Sequence, residues 1–94
     1  MNNKVKDVFK ALADPNRLKI VECLSSMCQS VNDIAEQAGL SQPLTSHHLK
    51  TLRSVGIVRL EGTYATTRFY CLTDETILEV IRLCRQFLLN REKA

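Results

Sequence analysis

Apolar residues recur along most of this chain at intervals of three and four, which is the spacing of amphipathic helices. The pattern predicts four helices in the first half of the chain and a fifth near its end: residues 3–13, 15–24, 32–38, 42–55 and 74–91. After the fourth helix the spacing changes to two, which favours a β-hairpin over residues 57–72. We therefore expect one mostly helical domain over residues 1–94, with the order α-α-α-α-β-β-α.

Residues that favour helix ends lie at the predicted boundaries. Asn32 and Ser41 are expected to cap the third and fourth helices, because short polar side chains accept hydrogen bonds from the free N–H groups of a first turn. Gly39 and Gly56 follow the same helices, where glycine readily adopts the left-handed conformation. Two helices joined by a short turn containing glycine are typical of a helix-turn-helix, predicted here at about residues 32–55, with the hairpin as a wing.

The predicted fourth helix has two faces of opposite character. At about 100° per residue, one arc collects side chains that need a core: Thr45, His48, Leu49 and Leu52. The other arc collects hydrogen-bond donors and no acid: Gln42, Ser46, Lys50 and Arg53, with His47 beside them. Glutamine, serine and arginine read base edges in the major groove of DNA, and lysine binds phosphate. The face indicates DNA recognition, although an ordinary amphipathic helix also presents a polar face to solvent.

The net charge of +3 comes from one segment. Residues 1–40 and residues 71–94 each carry equal numbers of basic and acidic groups, whereas residues 41–70 carry four basic groups and one acid. A basic patch in an otherwise neutral chain is typical of a protein with a polyanionic partner. Five hairpin residues can reach a neighbouring minor groove or phosphates: Arg59, Thr63, Tyr64, Thr66 and Arg68. Alternatively, Tyr64 and Arg68 only solvate the hairpin.

Composition and motifs argue against several classes of protein. With 45% hydrophobic and 24% charged residues, the chain is ordinary globular material. No apolar run is long enough to span a bilayer and no signal peptide is visible, so we expect a cytoplasmic protein without membrane contact. Both histidines lie in the fourth helix, and no phosphate-binding glycine loop or catalytic carboxylate pair occurs, so we do not expect an enzyme.

The predicted last helix is apolar around much of its surface. Its apolar residues are Ile77, Leu78, Val80, Ile81, Cys84, Phe87 and Leu88. A chain of 94 residues cannot easily cover so broad a surface by itself. A homodimer with the first and last helices at its interface, about residues 3–13 and 74–91, is therefore expected.

Nearly the whole chain, about residues 4 to 90, resembles the ArsR/SmtB family of bacterial winged-helix repressors. The most diagnostic stretch is Ser41-Gln42-Pro43 followed by Ser46-His47-His48-Leu49, which resembles the recognition helix of the family. The start of the second helix, the entry to the helix-turn-helix and both wing strands also match: residues 11–20, 31–35, 56–58 and 69–72.

The resemblance implies a homodimeric repressor that binds a pseudo-palindromic operator in double-stranded DNA until a small effector lowers its affinity. The family's contacts carry over to the fourth helix and the wing at Gln42, Thr45, Ser46, His47, Lys50 and Arg68. Ser41, Arg53 and Tyr64 complete the predicted DNA-binding set. The alternatives are a winged-helix module for protein contact and a repressor that senses no small molecule.

The sensing sites of the family do not carry over. Arsenic sensors have two cysteines around the valine before the third helix, where this chain has Ser30 and Asn32. Zinc and nickel sensors have histidines in the last helix; here Asp74 is present, but no histidine follows it. We therefore predict no metal ligand set of the usual kind.

Four cysteines remain as candidates for sensing: Cys23, Cys28, Cys71 and Cys84. In a cytoplasmic protein they are expected to be thiols rather than disulfides. Cys23 and Cys84 are on the second and last helices and can approach each other, whereas Cys28 lies in a loop without an evident partner. Such thiols bind As(III), soft metal ions or sulfur species. Each can equally be a small buried hydrophobe, which is the interpretation we favour for Cys71.

Overall fold

The computed structural model describes residues 2–25 and 27–93, and these ranges contain five helices and three strands. The helices are α1 (Asn2–Leu12), α2 (Pro15–Cys23), α3 (Val31–Ala38), α4 (Gln42–Ser54) and α5 (Thr76–Lys93). The strands are β1 (Gln29–Ser30), β2 (Val58–Tyr64) and β3 (Thr67–Leu72). The predicted winged helix-turn-helix fold is confirmed, with α3 and α4 as the helix-turn-helix and β2 and β3 as the wing.

Local sequence signals determine where α3 and α4 end. Gly39 has φ +69° and Gly56 has φ +85°, the left-handed conformation that terminates a helix at low cost for glycine. At the start of α4, the Ser41 hydroxyl oxygen accepts a hydrogen bond from the Leu44 N–H at 3.3 Å. The predicted cap of α4 and both glycine ends are confirmed.

The predicted cap of α3 is wrong by two residues. The Ser30 hydroxyl oxygen accepts a hydrogen bond from the Asp33 N–H at 3.1 Å, so Ser30 caps α3. Asn32 lies inside the first turn with an exposed side chain. Both residues suit a cap, and the pairing of strand β1 with β3 decides between them because it fixes Ser30 in extended backbone.

Strand β1 is not among the predicted elements. It pairs antiparallel with β3, Gln29 opposite Tyr70 and Ser30 opposite Phe69, and gives a three-stranded sheet with the order β1-β3-β2. A strand of two polar residues has no periodicity by which it could be recognised. The predicted hairpin is therefore two-thirds of the sheet rather than all of it.

The wing has a tight turn. Strand β2 continues to Tyr64 and β3 begins at Thr67, so only Ala65 and Thr66 form the turn. The pairing of β2 with β3 shifts register between Leu60 and Gly62, where a β-bulge leaves one residue of β2 without an opposite partner.

The hydrophobic core lies between the helices and one face of the sheet. Its fully buried side chains are Ile20, Val21, Ile34, Leu49, Leu52 and Val58. From α5, Ile81 is buried and Ile77 and Leu78 are half-buried against this core. These three side chains are thus used inside the chain and do not belong to a free apolar face. In the part of the chain that the structure describes, no helix is long and apolar enough to cross a membrane.

Candidate nucleic-acid interface

Helix α4 has the two faces that its sequence predicts. Its buried side chains are Thr45, His48, Leu49 and Leu52. The exposed side chains on the opposite side are Gln42, Ser46, His47, Lys50 and Arg53. Because the core holds one face of α4, the polar face is presented to solvent in a fixed orientation.

Arg17, near the start of α2, contacts α4 through the buried residue His48. Its Nε donates a hydrogen bond to the Ala11 carbonyl oxygen at 2.6 Å, and its Nη1 lies 3.3 Å from Nδ1 of His48. His48 is only 6% exposed, so it is the packed structural histidine that we expected. Arg17 therefore connects the end of α1 with the middle of the recognition helix.

Asp14 orients Arg17 and begins α2. Its Oδ1 accepts hydrogen bonds from the N–H groups of Asn16 at 2.8 Å and Arg17 at 3.2 Å. Partial burial raises the pKa of the Asp14 carboxyl, but these backbone bonds and the Arg17 charge outweigh burial, and the net pKa is below its ordinary value. The carboxylate is the form that caps the helix.

A polar groove of about 350 Å³ lies between the start of α3, the start of α4 and the wing. Its polar lining residues are Asn32, Gln42, Ser46, Thr66, Thr67 and Arg68. Three predicted DNA-binding residues, Gln42, Ser46 and Arg68, thus face one common space although they come from two separate elements. Tyr64 lies near the wing tip and is 81% exposed.

Six of the nine predicted residues do not line this groove: Ser41, Thr45, His47, Lys50, Arg53 and Tyr64. Thr45 is 0% exposed and its hydroxyl donates to the Ser41 carbonyl oxygen at 2.9 Å, so its side chain is part of the core of α4. We leave Thr45 out of the contact set, because one residue cannot fill the core and also reach a base edge. Arg53 lies at the other end of α4, beside Lys4 and Asp7 of α1.

Asn32 and Thr67 line the groove but are absent from the predicted DNA contacts, whereas Thr66 is among the hairpin residues expected to reach DNA. Because Asn32 was expected to cap α3, its exposed position inside that helix was not recognised. Thr67 begins β3 directly after the wing turn, and no sequence signal distinguishes it from its strand neighbours.

One of the four basic residues in residues 41–70 is neutralised by an acid. Arg59 forms an ion pair with Glu61, so these two charges compensate each other. Among the described residues, Lys50, Arg53 and Arg68 form no ion pair. The basic excess of this segment is therefore carried by α4 and the wing strand.

A separate, apolar surface lies along α1 and α5. Its large exposed side chains are Val5, Phe9, Leu83, Phe87, Leu88 and Leu89. Phe9, Leu83, Phe87 and Leu88 line one shallow groove together with Val80 and Cys84. We call this set the α1/α5 surface. It differs from the predicted set in that Ile77, Leu78 and Ile81 face the core.

The expectation of four thiols is wrong for two of them. Cys28 and Cys71 are joined by a disulfide, with their Cα atoms 4.3 Å apart. Cys71 is buried as expected, but its partner comes from the loop before the unpredicted strand β1. The ligand-type atoms of Cys28, Cys71 and Glu61 all lie within 4.8 Å of one another, an arrangement that can hold a metal ion.

Cys23 and Cys84 are free. Burial raises the pKa of the Cys23 thiol, and the neighbouring Glu22 charge raises it further, so its thiolate is disfavoured. Cys84 is exposed on the α1/α5 surface. An ion pair of 2.7 Å between Glu22 and Arg85 places this part of α5 beside α2.

Comparison with known proteins gives the same assignment as the fold. Residues 14–59 match the family model described as bacterial regulatory protein, arsR family. An HTH-type transcriptional regulator of Methanocaldococcus jannaschii is 41% identical over 85 residues, which cover 85% of this chain and 90% of that protein. A homolog of the cadmium resistance transcriptional regulatory protein CadC, from Staphylococcus aureus, is 38% identical over 96% of this chain and 73% of that protein.

Solved structures extend the likeness to the complete fold. The homodimeric winged helix-turn-helix DNA-binding domain Mb0332 of Mycobacterium bovis superposes with a TM-score of 0.83 at 26% identity, covering 97% of this chain and 83% of that one. The chain belongs to the ArsR/SmtB family of DNA-binding transcriptional regulators, which are not enzymes.

Proposed function

We propose that this chain is a homodimeric repressor that inserts α4 of each subunit into the major groove of an operator and places the wing on the adjacent backbone or minor groove. The observation that carries the proposal is the polar groove, in which Gln42 and Ser46 of α4 face the same space as Arg68 of the wing. A helix and a wing strand that share one polar surface can contact one stretch of duplex together.

The roles of the exposed residues follow from their chemistry. Gln42 and Ser46 are placed to read base edges, with His47 beside them. Lys50, Arg53 and Arg68 supply positive charges that bind phosphates. Ser41 supplies a hydroxyl at the helix N-terminus, and Tyr64 supplies a contact from the wing tip.

The α1/α5 surface supports the homodimeric part of the proposal. Four large apolar side chains, each more than half exposed, line one groove that a second copy of the same helices would cover: Phe9, Leu83, Phe87 and Leu88. In such a dimer the two α4 helices would lie about 34 Å apart, the distance between successive major-groove half-sites.

Release from the operator is proposed to involve cysteine chemistry. The family relative from Staphylococcus aureus is named for cadmium resistance, and this chain has two free thiols on neighbouring helices. As(III), a soft metal ion or a sulfur species that bridges Cys23 and Cys84 would shift α5 and with it the α1/α5 surface. Cys84 is expected to supply the first thiolate because the Cys23 thiolate is disfavoured.

The test is binding to DNA from upstream of the protein's own gene, with unrelated DNA of equal length as control. We expect the upstream DNA to bind about 10³-fold or more tightly, and affinity to fall steeply as salt rises. Equal, weak binding to both DNAs would instead favour a module for protein contact. Release by As(III), Cd²⁺ or a persulfide donor is then compared between wild type and Cys23→Ser/Cys84→Ser, and an identical response would exclude this pair.

A further inference from the structure

Cys28 and Cys71 are brought together by the sheet as well as by their disulfide. They are 43 residues apart in sequence. Gln29 pairs with Tyr70 and Ser30 with Phe69, so continuing the antiparallel register by one residue places Cys28 directly opposite Cys71. Side chains of directly opposed residues have Cβ atoms only about 4.5–5.5 Å apart. The two sulfurs will therefore remain neighbours after the disulfide is reduced.

Glu61 gives this pair a third ligand of different chemistry. Its Oε2 lies 3.4 Å from the sulfur of Cys71, and Glu61 occupies the β-bulge between Leu60 and Gly62. The carboxylate thus reaches from β2 to Cys71 on the neighbouring strand β3. Two sulfurs and one carboxylate oxygen thus converge from three separate strands or strand ends.

The charges also suit a divalent cation. Two thiolates and one carboxylate carry a total charge of −3, which a divalent cation reduces to −1. The Arg59 guanidinium, already paired with Glu61, compensates the remaining charge from outside the ligand set. Thiolate ligands select soft cations such as Cd²⁺ over Mg²⁺ or Ca²⁺.

The position of the cluster connects it with the DNA-binding groove. Cys28 precedes Ser30, the cap of α3, by two residues, and Cys71 follows Arg68 on β3 by three. In a disulfide the sulfurs are about 2.05 Å apart. Two thiolates on one tetrahedral cation, each at about 2.3 Å or more, are separated by about 3.7 Å. Exchange between these states would move the entry of α3 relative to the wing.

We propose that reduced Cys28 and Cys71, together with Glu61, form a site for a soft divalent cation, and that occupancy of this site changes operator affinity. A dithiol reductant opens the disulfide by thiol–disulfide exchange, giving two Cys thiols and one disulfide in the reductant. The cation then displaces two protons and binds both thiolates. The site is separate from Cys23 and Cys84. Its effect on DNA binding rests on the proposed function, whereas cation binding itself does not.

The first experiment titrates Cd²⁺ into the full chain after phosphine reduction and records the thiolate-to-Cd²⁺ charge-transfer absorption in the ultraviolet. The titration uses the Cys23→Ser/Cys84→Ser protein, which lacks the other proposed thiol pair, and we expect one Cd²⁺ per chain and no such band after oxidation with diamide. In this background Cys28→Ser and Cys71→Ser should lose the band. Glu61→Gln should keep it with about 10- to 100-fold weaker affinity.

An unchanged band in Cys28→Ser, or no band in the Cys23→Ser/Cys84→Ser background itself, would overturn the site. Cys28→Ser decides the question if Cys71→Ser does not fold, because Cys28 lies in a loop rather than in a buried strand.

The second experiment measures operator affinity of the reduced protein with and without Cd²⁺, using Cys23→Ser/Cys84→Ser to exclude the other thiols. A change of about 5- to 150-fold, lost in Cys28→Ser, is expected for two coupled sites. Unchanged affinity at saturating Cd²⁺ would overturn the regulatory part. If the apoprotein binds no operator, the proposed function fails while the titration stands; if the titration fails with operator binding intact, only this inference fails.

Discussion

Helices α4 and α5 both carry an apolar stripe, but the chain covers only the stripe of α4. The core-facing side chains of α4 are all buried, and what remains exposed is polar and basic apart from Pro43 and Leu44. Among the α5 residues whose burial the structure describes, only Ile81 is buried, and the C-terminal half exposes Leu83, Phe87, Leu88 and Leu89.

The difference follows from what surrounds each helix. Helix α4 packs between α2, α3 and β2, whereas α5 contacts the core through its first turns only. An exposed polar face is suited to the charged, hydrated surface of DNA, and an exposed apolar face to a second protein surface. The molecule thus presents two exposed surfaces of different chemistry on two different helices.

The buried face of α4 is tested by Leu49→Ala. Because Leu49 is fully buried, its truncation should lower the free energy of unfolding by about 2–5 kcal/mol, measured by urea denaturation. Leu44→Ala on the same helix is the control; Leu44 is 39% exposed, and its loss should cost less than about 1 kcal/mol. Equal losses in the two variants would contradict the division of α4 into two faces.

The uncovered face of α5 is tested by Phe87→Glu. Phe87 is 59% exposed, so the folded subunit should tolerate the substitution while the dimer separates, as measured by sedimentation. Loss of the second recognition helix should weaken operator binding by about 100-fold or more. Gln86→Glu adds the same charge one residue earlier, outside the apolar groove, and should remain dimeric. A dimeric Phe87→Glu variant with wild-type affinity would remove the α1/α5 surface from assembly.

The helices of this fold could be predicted because their signals are local. Ser41, Gly39 and Gly56 act within one turn of their own position, and each has the predicted role. The exposed face of α4 is predictable for the same reason, since helical periodicity alone sorts its side chains.

Features that depend on distant parts of the chain could not be predicted. Strand β1 exists only because β3 lies beside it, and the Cys28–Cys71 pair depends on that register. The contact of Arg17 with His48 likewise requires the packing of α2 against α4. Periodicity also cannot show which apolar residues of α5 the chain's own core will use.

The polar face of α4 should show two kinds of contact. Gln42→Ala should reduce discrimination at particular base pairs by about 1–3 kcal/mol, because a side chain in the groove reads base edges. The measurement is affinity for a set of operators that each carry one substituted base pair. A uniform loss on every sequence, unrelated DNA included, would show that Gln42 contacts only the backbone.

Lys50→Ala should have the opposite signature. Lys50 is exposed and pairs with no carboxylate in the described residues, so we expect it to bind a phosphate. Its loss should weaken binding similarly on all sequences and reduce the slope of log affinity against log salt by about one. An unchanged slope together with an altered base preference would mean that Lys50 reads bases, and the roles assigned to Lys50 and Gln42 would have to be exchanged.

The smallest effect concerns the support of α4 from α2 and is tested by Asp14→Asn. Asparagine keeps an oxygen that can cap α2 but removes the charge beside Arg17. Burial raises the pKa of Asp14 in the folded protein, but the backbone N–H bonds lower it by more, so the folded pKa lies below the unfolded-state value, near 3.8. The carboxylate therefore stabilises the fold at pH values above that unfolded-state pKa. This contribution is lost as the pH falls through the folded pKa. The difference in unfolding free energy between wild type and Asp14→Asn should therefore be constant between about pH 7 and pH 5 and shrink below about pH 4. Urea denaturation at a series of pH values measures it. A difference that grows on acidification would mean that the neutral Asp14 carboxyl stabilises the fold more than the carboxylate does. Arg17 would then hold α4 without the charge of Asp14.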